Sequence, residues 1–152
     1  MPRVSEKHMQ ARKAQIVAAA LRCFRNKGIA ETRMRDIFAE SGLSAGAVYN
    51  HFPAKRDLLR HLAEESRGKW TAMFADLHAE AEERPGQKLQ RLMEELLDGL
   101  ADPEIVADIG SARGMWAFSS HQPDLRAACG DLFRTVAEGF AALLPAGTSG
   151  AA

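Results

Sequence analysis

The sequence predicts an all-α protein, a small helical head followed by a helical body. Three observations predict it. Apolar residues recur at i, i+3, i+4 and i+7 along most of the 152 residues. No stretch alternates apolar and polar residues as a half-buried strand would. Pro and Gly fall between the periodic segments, where they end or open helices. Hydrophobic residues make up 46% of the chain, enough for a packed core and too many for a disordered segment.

The first helix is expected over 11–27, with Ile16, Ala19, Ala20, Cys23 and Phe24 on one face and Gly28 behind its end. Thr32 is placed to cap a short second helix, 33–41, which buries Met34, Ile37 and Phe38. Ser41 to Ser44 forms a tight turn. Gly42 supplies positive φ there, and Ser44 caps a third helix over 45–51. Val48 and Phe52 face inward, and Pro53 stops that helix. A long fourth helix is expected over 55–83, with Leu59, Leu62, Trp70, Met73 and Leu77 in one stripe. Pro85-Gly86 breaks the chain before a fifth helix, 87–100, carrying Leu89, Leu92, Met93, Leu96, Leu97 and Leu100. Asp102-Pro103 opens a sixth helix to 119, with Ile105, Ile109, Ala112 and Trp116. Pro123 opens a seventh, to 144, with Leu125, Cys129, Leu132, Val136, Phe140 and Leu143. Residues 145–152 have no core pattern.

Several function classes find no support. The apolar run Ile16–Leu21 is far short of a membrane span, and no secretory signal is visible at the start. Cys23 and Cys129 are the only cysteines, with no CxxC, so a cytoplasmic setting is expected. His8, His61, His78 and His121 lack metal-ligand spacing. Ser149 has no nucleophile-elbow flanks, and no glycine-rich phosphate loop occurs. The expectation is a non-enzyme with no metal and no cofactor.

The formal net charge is zero, but the charge is unevenly distributed. Residues 1–60 hold twelve Lys and Arg against five Asp and Glu, a net of +7. The remainder holds eight against fifteen, a net of −7. A basic head on an acidic body points to a polyanion partner for the head alone. Arg3, Lys7, Arg12 and Lys13 read as a flexible basic arm. Two short helices around a Gly turn have helix-turn-helix geometry, in which the second helix enters the major groove. That helix carries Ala45, Gly46, Ala47, Tyr49, Asn50 and His51 outward, with no acid among them. Small residues let the backbone approach base edges, and Tyr, Asn and His can bond bases or phosphates.

These landmarks fall at fixed offsets. They are Gly28, Thr32, Ile37 with Ala39, Gly42-Leu43-Ser44, Tyr49-Asn50-His51-Phe52, and Lys55-Arg56-Asp57-Leu58. Residues 11–60 thereby resemble the DNA-binding domain of the TetR family. The resemblance implies a helix-turn-helix three-helix head over 1–57, a helical-bundle body for ligand binding and dimerisation over 58–144, and a loose tail over 145–152. It implies phosphate contacts from Thr32 and Arg33, a base-reading edge at Ala45, Gly46 and Ala47, phosphate and groove contacts from Tyr49, Asn50 and His51, and a phosphate clamp at Lys55, with Ser44 also among the DNA-binding residues. It further implies a homodimer on a palindromic double-stranded DNA operator, acting as a repressor that responds to a small apolar or aromatic effector.

The resemblance also implies effector contacts in the body, for which Met93, Leu97, Ile109, Arg113, Trp116 and Phe133 are the candidates, ordinary bundle core being the other reading of the apolar ones. Gly110, Gly114, Gly130 and Gly139 lie inside helical patterns, where each costs about 1 kcal/mol against Ala and leaves room for a ligand or a close helix. Family members usually continue with two further helices that build the dimer interface, so helices six and seven are expected to substitute for them. A second reading stays open, a helical ligand- or partner-binding protein whose shortened body no longer supports operator binding.

Overall fold

The computed structural model describes residues 6–79, 84–100 and 113–144. They form α1 (Glu6–Lys27), α2 (Met34–Ser41), α3 (Ala45–His51), α4 (Lys55–Ala79), α5 (Pro85–Gly99), α6 (described over 113–119) and α7 (Pro123–Ala142). No strand occurs among the described residues. The protein is all-α, as its apolar periodicity predicts. Asp102, Pro103, Ile105, Ile109, Gly110, Ala112 and the segment 145–152 lie outside the described residues.

The helix ends follow from local chemistry. Gly28 and Gly42 have φ of 79° and 67°, the left-handed region that a side chain disfavours, and each turns the chain out of a helix. Ser44 caps α3, its Oγ accepting the Ala47 N–H at 3.2 Å. Pro85 and Pro123 occupy the first turns of α5 and α7, where the missing N–H costs nothing. Two expectations fail at the head. α1 begins at Glu6, not at residue 11, so Lys7, Arg12 and Lys13 sit on a helix and not on a flexible arm. Thr32 does not cap α2. It is fully buried, and its Oγ1 lies 2.7 Å from Gly28 O and 3.2 Å from Cys23 O, closing the end of α1. Arg33 holds the cap position, and its N–H donates to the Asp36 carboxylate at 2.8 Å.

The main core joins Ile16, Ala20, Cys23 and Phe24 of α1 to Ile37 of α2, Val48 of α3 and Leu58, Leu59 and Ala63 of α4. Met115 of α6 and Leu125 and Cys129 of α7 belong to the same cluster. Packing therefore runs straight across the expected boundary at residue 57. A second cluster, Phe74, Leu77, Leu92 and Leu143, ties the far half of α4 to α5 and α7, with Trp70, Met73, Leu89, Leu96 and Phe140 around it. α4 and α7 run against each other more extensively than any other pair of described helices. At Gly139 they come so close that a Cβ would sit 2.2 Å from the Phe74 ring.

Candidate nucleic-acid interface

α1 and α2 are held together by side chains that leave α3 presented. Arg22 pairs with Glu40 at 2.6 Å, and Lys27 with Asp36 at 2.9 Å. Gln15 donates to the Ser41 carbonyl at 2.8 Å, fixing the turn between α2 and α3. The Arg33 N–H, followed by the Lys27 ammonium, holds the Asp36 carboxyl below the usual aspartate range. Asp57 pairs with Arg60 at 3.4 Å. Three of the head's acids are thus matched by cations, so they oppose an approaching polyanion less than their count suggests.

α3 buries Val48 and exposes Ala45, Gly46, Tyr49 and Asn50, with Ala47 and His51 half-buried. A Cβ on Gly46 would meet nothing within 4 Å, so that stretch of backbone faces open space. The Tyr49 ring packs edge-on against Phe38, centroids 5.1 Å apart, and is 45% exposed, so its hydroxyl is aimed by a fixed ring. Arg33 and Arg35 are exposed at the start of α2. Between α1 and α3 lies an open groove of about 500 Å³, lined by His8, Arg12, Lys13, Ala47, Asn50 and His51. Arg12 Nε–H donates to His8 Nε2 at 3.1 Å, which orients the guanidinium along the helix. The sequence reading assigned no role beside α3 to His8, Arg12 and Lys13. The missed signal was the i, i+4 spacing of His8 and Arg12, which shares a helix face only if α1 already includes residue 8.

Two of the expected phosphate contacts are turned inward. Thr32 is buried as described. Lys55 Nζ donates to the carbonyls of Ile29 at 2.6 Å, Thr32 at 2.9 Å and Ala30 at 3.3 Å. Its ammonium lies over the Phe118 ring, 4.5 Å from the centroid. Burial pushes its pKa below the ordinary lysine value, partly countered by Glu31. Ser44 serves first as the α3 cap, its hydroxyl occupied by the Ala47 N–H.

The expected effector residues do not converge. Met93, Leu97, Trp116 and Phe133 are 42%, 59%, 51% and 53% exposed, and Arg113 is exposed too. Trp116 and Phe133 meet edge to face, 5.2 Å apart, on the outer side of α6 and α7. The physical reason is that α5 and α7 each carry two apolar stripes. In α5, Leu92 is buried while Met93, Leu97 and Leu100 sit on the adjoining face. Periodicity marks both stripes alike and does not say which one is covered. Ile109 lies outside the described residues. An apolar cleft of about 170 Å³ occurs elsewhere, lined by Val17, Leu21, Phe24, Ile29, Leu59, Leu62 and Met115 with Glu65 and Lys69 at its edge. Among the described residues no cluster of His, Cys, Asp and Glu is arranged to hold a metal ion, and no helix is long and apolar enough to cross a membrane.

Residues 16–62 match the family model described as bacterial regulatory proteins, tetR family. The uncharacterised HTH-type transcriptional regulator YfiR of Bacillus subtilis is 32% identical over 101 residues, covering 66% of this chain and 48% of that one. The HTH-type transcriptional repressor AcnR of Corynebacterium diphtheriae is 33% identical over 104 residues, covering 68% of this chain and 48% of the other. A solved structure of SmeT in complex with triclosan superposes with a TM-score of 0.74 at 24% identity, over 89% of this chain and 65% of that one. The chain spans about half the length of the relatives it matches. Residues 16–62 thus carry a domain that matches the tetR family of bacterial regulatory proteins, and the chain around it is similar to regulators of that kind.

Proposed function

We propose that the chain is a transcription regulator that binds double-stranded DNA by inserting α3 in the major groove. One observation carries this reading. α3 presents an acid-free edge of Ala45, Gly46, Tyr49 and Asn50, flanked by the exposed cations Arg33 and Arg35 of α2 and by Arg12 and Lys13 of α1. Small residues allow close approach to base edges, and the flanking cations suit phosphates on either side. Arg33, Tyr49, Asn50 and His51 are the contacts we assign, with Ala45, Gly46 and Ala47 as the edge that meets the bases.

The proposal extends to a homodimeric repressor on a palindromic operator, because one short helix contacts too few base pairs for specificity. The outer stripe of Trp116, Phe133 and Leu144 supports a second copy of this chain as the partner, being apolar and about half exposed. A small apolar effector is placed in the cleft beside Phe24, Ile29, Leu59 and Met115, which touches both head and body. Triclosan, bound by the structural neighbour SmeT, is of that chemical kind.

Selection of random duplex DNA on the purified protein tests the reading. An enriched palindrome supports DNA recognition and a dimer together. An enriched single half-site keeps the head's role and refutes the dimer on DNA. No enrichment at low salt refutes the regulator and favours a helical partner-binding protein.

A further inference from the structure

We infer that Lys55 is a positioning residue, an internal latch that fastens the DNA-binding head to α6 through Phe118, and not a contact to DNA. The inference rests on the DNA-binding reading above and deepens it.

A lysine ammonium has three N–H donors and no acceptor. At Lys55 the carbonyls of Ile29, Ala30 and Thr32 lie within 3.3 Å of Nζ and match all three donors. These carbonyls belong to the connection from α1 to α2, which has turned out of the helix at Gly28 and offers its oxygens to no helix of its own. The Phe118 ring lies 4.5 Å from the ammonium on its other side. A phosphate reaching Nζ would have to displace carbonyl or ring. Breaking those contacts gives up three bonds to carbonyls, two of them part-buried, which opposes the exchange.

The same connection is packed from the body as well. A Cβ on Gly114 would lie 3.8 Å from Ile29 Cδ1, so α6 runs directly beside the residue that accepts the shortest Lys55 bond. Thr32, whose carbonyl takes another, is anchored to the end of α1 and directly precedes Arg33, the cap of α2. The contacts therefore form one series: Phe118 and Gly114 of α6, the Lys55 ammonium, residues 29–32, then the first turn of α2. A cation facing an aromatic ring in partly dry surroundings is attracted by the ring's quadrupole and is sensitive to its position. Moving α6 changes that attraction, and residues 29–32 carry the change to the α2–α3 unit.

The test uses the full chain, a duplex selected by the wild-type protein, and four proteins: wild type, Lys55→Met, Phe118→Leu and Phe118→Tyr. Affinity is measured over a series of salt concentrations, at a temperature where each variant is fully folded by circular dichroism. The latch predicts that Lys55→Met weakens binding about tenfold, with the slope of log affinity against log salt unchanged. A slope shallower by about 0.9 would mean one lost phosphate contact and would overturn the proposal. Phe118→Leu, which keeps an apolar side chain but loses the ring face, should weaken binding severalfold, up to about tenfold. Phe118→Tyr keeps the face and should restore wild-type affinity. Equal affinity for Phe118→Leu and wild type would also overturn it.

A second measurement separates this failure from failure of the DNA reading. In a proton–nitrogen correlation spectrum of lysine ammonium groups, the signal lost in Lys55→Met identifies Nζ. That ammonium should exchange slowly with water in the wild type and faster in Phe118→Leu. If no duplex is ever selected, the DNA reading fails and this exchange rate decides the latch alone. An unchanged rate overturns it.

Discussion

Replacing Gly139 by Ala should destabilise the protein, although Ala is the better helix former. The added Cβ would lie 2.2 Å from Cδ2 and Cε2 of Phe74 and 2.6 Å from its Cγ, well inside any real contact distance. Phe74 has little room to yield. It is buried, stacked on Trp70 at 5.7 Å between centroids and set edge-on against Phe140 at 5.5 Å. Overpacking of this kind costs about 1–3 kcal/mol, and the Gly-to-Ala gain in helix propensity returns about 1 kcal/mol. With Phe74 held in a cluster with two other aromatic rings, a net loss of about 1–2 kcal/mol is expected. Gly130 provides the control, because it lies in the same helix and an added Cβ there meets nothing within 4 Å. Gly130→Ala should gain about 1 kcal/mol. Urea unfolding at one fixed protein concentration measures both, with an unchanged m-value showing that stability and not the denatured state has moved. Adding Phe74→Leu to Gly139→Ala should cost less than the two changes summed, because the smaller side chain vacates the space. If Gly139→Ala matches or exceeds the wild type, the packing argument is refuted.

Three other expectations follow from the same contacts. Ser44→Ala removes the α3 cap and should cost about 1 kcal/mol in urea unfolding, while Ser44→Asp should retain most of the stability but weaken DNA binding by placing an acid at the interface. Asp36 prefers its ionised form in the folded chain, so its contribution is present above the ordinary aspartate range and is lost as pH falls through it. Asp36→Asn should therefore flatten the acid limb of the urea midpoint against pH, and an unchanged limb would contradict the assignment. Phe133→Glu should reduce self-association in sedimentation and weaken binding to a palindrome more than to a half-site, leaving the helical content intact.

Much of the fold was legible because its markers are local. Gly28, Gly42, Ser44 and Pro123 act within a few residues of their position, and each ends or opens a helix as their chemistry requires, whereas Pro85, read as a break before residue 87, itself opens α5. The inward faces of α1 and α3 were equally legible, since one clear apolar stripe leaves no choice of side. What escaped depends on tertiary placement. Thr32 and Lys55 are polar residues in a basic head, and nothing nearby in sequence reveals that carbonyls of residues 23 to 32 claim them. Lys55 and Ile29 are 26 positions apart, and Phe118 is farther still. In α5 and α7 two apolar stripes compete, so Met93, Leu97 and Phe133 looked like lining and lie outside, as does Trp116 of α6 against Phe133. The helix over residues 6–10 was missed because they are exposed and carry one apolar residue, Met9, with no periodic apolar face to announce them.

The seam between head and body has a consequence for exchange between relatives. Met115, Leu125 and Cys129 fill the same core as Ile16, Phe24 and Val48, so a head cut at residue 57 would carry an open wound where those side chains had been. The unit that packs as one is therefore larger than α1 to α3. Transfer of the head from one such chain to another must carry the facing surfaces of α6 and α7 as well, or find a recipient whose own helices already match them. A chimera's folding would be set by that fit first.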